Sequence, residues 1–119
     1  MGSRVKRPPV EPESSVLARV LEALKACGNV HVMRNNVGAG RVRGRFQSWG
    51  LGAGSADIVA VVGPHGRWLC VECKRSDGGV MEVTQGPWLA RMRELGAVCG
   101  VATTPDEALD LVARARRSP

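Results

Sequence analysis

The run "ADIVAVVGPHGRWLCVECKR", residues 56–75, most limits what this chain can fold into. Two apolar segments flank the turn sequence "PHG", which reads as a β-hairpin. Both are apolar almost throughout instead of alternating, as strands in the middle of a sheet are. Yet Glu72 and Lys74 interrupt the second strand. Two residues apart, they point to the same face. Asp57 opens the first strand, so hairpin pairing brings it opposite the end of the second. Two carboxylates and one ammonium then form a small cluster. Close carboxylates repel each other unless a cation lies between them. Oxygen ligands of this kind favour Mg²⁺ or Mn²⁺. The plainer reading is a cross-strand ion pair on an exposed sheet face, which is worth little.

Around this hairpin the chain alternates helix and strand signals. "EPESSVLARVLEALKACG" reads as a helix, with Val16, Leu17, Val20, Leu21 and Leu24 at helical spacing and Gly28 as its stop. At about 100° per residue, Glu13 falls inside the apolar stripe and Glu22 on the far side. If the helix begins by Pro12, Glu13 faces the core, where an acid needs a partner such as a cation. The alternative is that Glu13 only favours the positive helix N-terminus. "VHVMRNN" is a short strand candidate. "VGAGRVRGRFQSWGLGAGS", with six glycines, is a long loop or an irregular hairpin.

"VTQGPWLARMRELG" reads as a second helix, with Trp88, Leu89, Met92 and Leu95 on one face, Pro87 in its first turn and Gly96 as its cap. "AVCGVATT" is a strand. "TPDEALDLVARARR" is a third helix, with Thr104 as N-cap, Pro105 first in the helix and Glu107 completing a capping box. The order α-β-β-β-α-β-α predicts an α/β fold, a mixed central β-sheet flanked by helices. One domain is expected over 11–117, with residues 1–10 a flexible basic arm.

A chain of 119 residues can build one core of modest size. With only Phe46, Trp49, Trp68 and Trp88 aromatic, aliphatic side chains must fill it. No apolar run approaches the roughly 20 residues of a membrane span. The basic, Pro-rich start has no apolar secretory segment, so a cytoplasmic protein without membrane attachment is expected. Net charge is +6 and pI about 9.9, which favours a polyanionic partner, nucleic acid first. A solvated basic surface is the alternative.

The distribution of that charge is uneven. Arg34, Arg41, Arg43 and Arg45 lie in a stretch with no acid between residues 23 and 56. On a glycine-rich loop the last three suit a clamp on the phosphate backbone. Trp49 suits either base stacking or packing. "GLGAGSAD" is followed by a strand where a dinucleotide-binding loop needs a helix. Cys70 and Cys73 form C-x-x-C, but in a strand they diverge to opposite faces, and no second pair completes a zinc site. Half-buried free thiols are the expectation.

Asp57, then Glu72-x-Lys74 after a glycine-rich loop, resembles the PD-(D/E)XK nuclease superfamily, with Ala56 where many members have Pro. "RNNVGAG", "GSADIVAVV", "VECKR", "QGPW" and "ATTPDEAL", in this order, resemble its VRR-NUC branch, the virus-type replication-repair nuclease domain, over residues 11–113. The resemblance implies a PD-(D/E)XK core and a Mg²⁺- or Mn²⁺-dependent DNA endonuclease, structure-selective for branched or Holliday-junction-like DNA, acting as a homodimer. It implies that Asp57, Glu72, the backbone carbonyl of Cys73 and Glu13, as the family's N-terminal acid, hold the metal. Lys74 orients or deprotonates the attacking water, Gln85 supports the site, and Arg75 joins the DNA-binding arginines. Glu82 and Gly86-Pro87 depart from the family's pattern around Gln85. Two other functions stay open, a non-catalytic nucleic-acid-binding module and a restriction-type endonuclease.

Overall fold

A computed structural model of the chain describes residues 9–78 and 85–117, the side chain of Gln85 excepted. Most of the expected basic arm, Glu82 and the side chain of Gln85 therefore lie outside the described residues. The described residues form three helices, α1 (Glu13–Lys25), α2 (Gln85–Glu94) and α3 (Pro105–Arg116), and six strands. The strands are β1 (Val30–Arg34), β2 (Gly38–Val42), β3 (Arg45–Trp49), β4 (Ile58–Val62), β5 (Arg67–Cys73) and β6 (Val98–Ala102). A mixed sheet runs β1-β4-β5-β6, antiparallel except for the parallel β5–β6 pair. This is the expected α/β architecture. No described helix is long and apolar enough to cross a membrane.

The two apolar runs are the central strands because helices cover both of their faces. On one face Ile58, Ala60, Val62, Leu69, Val71 and Cys73 pack against α1 and α3. α1 contributes Val16, Val20 and Leu24, three positions four residues apart; α3 contributes Ala108, Leu111, Val112 and Ala115. Gly100 lets α3 come close, because a Cβ there would lie 2.8 Å from Leu111. Among the described residues the other face has only the short α2, which buries Leu89 against Val59, Cys70 and Cys99.

α3 starts as its capping signal requires. Thr104 Oγ1 accepts from the Glu107 N–H at 3.2 Å. Glu107 reaches back one residue further than expected, accepting from the Thr103 N–H at 2.9 Å and from its hydroxyl. Those bonds hold the Glu107 carboxyl below its ordinary pKa.

Three expectations are corrected. Gly28 does not stop α1: the helix ends at Lys25, and Asn29 takes the left-handed turn with φ 61°. Leu95 does not share the buried face of α2, because the helix ends one residue earlier and Leu95 is 64% exposed. The glycine-rich stretch is a regular hairpin. β2 and β3 pair antiparallel as a separate two-stranded sheet. Arg43 and Gly44 form its turn at φ 52° and 79°, the sense that matches strand twist.

Candidate active site

The β4–β5 register places Ile58 across from Val71. One step further on, Asp57 lies across from Glu72, at the end of the two central strands. Asp57 Oδ2 accepts from the Cys73 N–H at 2.8 Å, so the backbone of the neighbouring strand aims the carboxylate. Beyond β5, the Lys74 N–H donates to the Ala102 carbonyl at 3.1 Å, which continues the pairing with β6. The first turn of α1 is pinned above this end: the Ser76 N–H donates to the Glu11 carbonyl, and the Glu11 N–H to Ser76 Oγ at 2.7 Å.

Glu72 and Lys74 are buried, with 1% and 5% of their surface exposed. A solvated ion pair on an open sheet face is therefore not what they form. Lys74 Nζ lies 3.9 Å from Glu72 Oε1 and 3.4 Å from Glu13 Oε1. Burial pushes the Glu72 carboxyl up, and hydrogen bonding and charge from Asp57 push it further, to about 9, against the pull of Lys74. Glu72 Oε2 has no hydrogen-bond partner among the described residues. A buried carboxylate oxygen without a partner is costly and calls for an explanation.

A hard divalent cation fits this donor set. The described residues contain no group of three or more His, Cys, Asp or Glu side chains placed to hold a metal. Two carboxylates do not reach that number, and Mg²⁺ is commonly held by one or two carboxylates together with phosphate oxygens and water. The carbonyl of Cys73, next to Glu72 in the chain, is a further oxygen at this end. Glu13 does not face the core, since its side chain is 49% exposed. As the first residue of α1 it overhangs the sheet end, and its oxygen meets Lys74 instead.

Asn35 was not singled out for a role by sequence reasoning, and it organises the approach to Asp57. Its Nδ2 donates to Ser55 Oγ at 2.6 Å and to the Ala56 carbonyl at 2.8 Å. Its Oδ1 accepts from the Leu51 N–H at 3.0 Å, and its own N–H donates to the Asp57 carbonyl at 2.8 Å. One side chain thus ties the root of the β2–β3 hairpin to the loop that presents Asp57. Its only signal in the sequence was its place in "RNNVGAG". Asn35→Ala should cost roughly 1–3 kcal/mol of stability through the groups left unpaired. A lower urea midpoint at unchanged slope measures that loss.

The arginines divide into groups. Arg34 ends β1 beside the start of β4 and is exposed. Arg41, Arg43 and Arg45 are exposed on the hairpin. Arg75 is exposed and pairs with Asp77 at 3.4 Å.

Cys70 and Cys73 do face opposite sides of the sheet, Cys73 with α1 and α3 and Cys70 with α2. Both are fully buried, as is Cys99, so the expectation of half-buried thiols is corrected for these three. All four cysteines are free. Burial pushes the Cys73 thiol up to about 12. No family model, curated protein or solved structure matches the chain.

Proposed function

We propose that the protein is a metal-dependent endonuclease that hydrolyses phosphodiester bonds in DNA, built on a PD-(D/E)XK core of the VRR-NUC type. The observation that carries this reading is the position of Glu72. It is buried across from Asp57 with an unpartnered oxygen and an ammonium 3.9 Å away. A structural core gains nothing from such a group, whereas a cation site needs one. The acid at the head of β4 and the Glu-x-Lys at the end of β5 support the superfamily assignment.

Asp57, Glu72 and the Cys73 carbonyl are the residues that hold Mg²⁺ or Mn²⁺ in this reading. The cation supplies Lewis acidity at a phosphate oxygen and makes a neighbouring water more acidic. The Cys73 N–H keeps Asp57 turned toward that position. Lys74 sets a positive charge where the reacting phosphate grows negative and orients the attacking water. Glu13 limits the motion of the ammonium without burying a further charge. Gln85 supports the site from the start of α2. Arg34, Arg41, Arg43, Arg45 and Arg75 hold the DNA backbone, a role that positions DNA without reading sequence.

Incubation with four-way junction, flap, splayed and plain duplex DNA tests the reading, in Mg²⁺, Mn²⁺ or chelator. Metal-dependent cleavage lost in Asp57→Ala is the expected result. Absence of metal-dependent cleavage from every substrate rejects the enzyme, and cleavage that survives Asp57→Ala rejects the site.

The reading also includes a homodimer, because cutting two strands calls for two sites related by symmetry. The sheet face that α2 leaves partly open supports it. A groove of about 510 Å³ there is lined by Leu51, Val59, Trp68, Trp88, Met92 and Leu95. Leu51 and Trp68 are 57% and 47% exposed. Trp68→Glu should convert a dimer to a monomer in sedimentation velocity. A wild type that sediments as a monomer at all concentrations rejects the dimer.

A further inference from the structure

The β2–β3 hairpin is a sheet of its own, and a lone two-stranded hairpin is marginal in water. Its root is anchored by Asn35, whose Oδ1 accepts from the Leu51 N–H at 3.0 Å. The Trp49 indole covers Gly38 so closely that a Cβ there would lie 2.5 Å from the ring. Trp49 thus packs across the hairpin on Gly38 while 45% of it stays exposed. The outer half, from Arg41 to Phe46, is exposed at every residue. Phe46 is 74% exposed, more than any other large apolar side chain among the described residues.

Phe46 lies directly across the ladder from Arg41, so ring and guanidinium leave the same face of the hairpin. Arg43 is in the turn, one residue before Gly44, and Arg45 points from the opposite face. No acid lies between residues 23 and 56 to neutralise them. An apolar protein partner would have to bury these guanidiniums unpaired, at high cost. A nucleic-acid strand offers both complements, a base face for the ring and phosphates for the arginines. In a continuous duplex the base faces are already stacked on each other. Only unpaired bases, at a fork, flap or branch, present one.

We propose that Phe46 stacks on an unpaired base while Arg41 and Arg43 hold the adjoining phosphates. The hairpin thereby selects DNA with unpaired bases and delivers the neighbouring strand to Asp57 and Glu72. This rests on the DNA reading above. It fits the connectivity, since the hairpin leaves the sheet at Asn35 and returns at Ser55, the two residues whose side chains bond to each other beside Asp57.

Fluorescence anisotropy of the full chain in chelator tests it without any cleavage, with labelled splayed-arm DNA and a fully paired duplex of equal length. Wild type should prefer the splayed DNA. Phe46→Ala should weaken splayed-arm binding about tenfold or more, within the range of base–aromatic stacking. Duplex binding, which depends on backbone contacts, should change less than about twofold. Phe46→Trp should keep the preference.

Equal loss on both substrates, or no loss on either, overturns the proposal. So does a Phe46→Ala protein with unchanged DNA affinity and altered sedimentation, which would make the ring a protein contact. If wild type cleaves nothing in Mg²⁺ or Mn²⁺ while the Phe46 effect holds, the stacking role stands and only the nuclease reading fails. If cleavage proceeds without a Phe46 effect, the stacking role alone fails.

Discussion

Glu72→Gln is expected to raise the melting temperature of the metal-free protein near pH 8 and to abolish the further rise expected of the wild type in Mn²⁺. Glu72 is buried against Asp57, and its folded pKa is raised from 4.5 to about 9. Between those values the unfolded chain releases the proton and the folded protein keeps it. The stability that protonated Glu72 contributes is therefore complete below about pH 4.5 and is lost as pH rises toward 9. Glutamine keeps the shape and removes the titration, so the variant's stability should be flatter across that window. Glutamine mimics the protonated acid without the cost of holding a proton that the unfolded chain has released, a gain on the order of 1–4 kcal/mol near pH 8. For a domain of this size that is a shift of roughly 4 °C or more.

A cation that binds only the folded state stabilises it in proportion to the logarithm of its concentration. Removing one of two carboxylates should remove most of that linkage and, with it, cleavage. Differential scanning fluorimetry from pH 5 to 9, with and without Mn²⁺, measures both parts. A less stable variant near pH 8 that still responds to Mn²⁺ would show that Glu72 is a structural acid.

Lys74→Ala is expected to have the other large effect, on rate. Loss of one preorganised donor to developing charge costs about 10²–10³ in turnover. DNA affinity should hold within about threefold if, as proposed, the exposed arginines make the backbone contacts. A parallel collapse of affinity and rate would make Lys74 a binding residue. The single variant should also lose stability, since it empties space in the buried cluster and removes the ammonium 3.4 Å from Glu13 Oε1. Combining Glu72→Gln with Lys74→Met neutralises the buried pair together. The double variant should recover stability beyond the sum of the two changes while staying inactive, which a double-mutant cycle reads directly.

Much of the site was legible because strand geometry is regular. A period of two assigns Glu72 and Lys74 to one face, and a tight turn determines which residue of β4 meets which of β5. Asp57 across from Glu72 follows from those two facts alone. The capping box of α3 was equally legible, since it depends on residues at fixed short spacing. Glu13 was less so. Helical periodicity gives an angle around the axis but not where along the sheet the helix begins, and its first turn overhangs the strand ends. Leu95 fits the apolar stripe of α2 in sequence and lies past the helix end in space. Asn35 bonds to Leu51, Ser55 and Ala56, partners 16 to 21 residues away, and no local pattern announces such a contact.

The sequence by itself determined the α/β order, the two buried central strands and the acids and ammonium that share one strand end. Alternation, capping and apolar length are local properties, so they survive without knowledge of the fold. The tertiary structure decided how deeply Glu72 and Lys74 are buried, that Glu13 meets Lys74, and that Phe46 projects. Each depends on which surface another element covers, and packing between distant segments alone settles that.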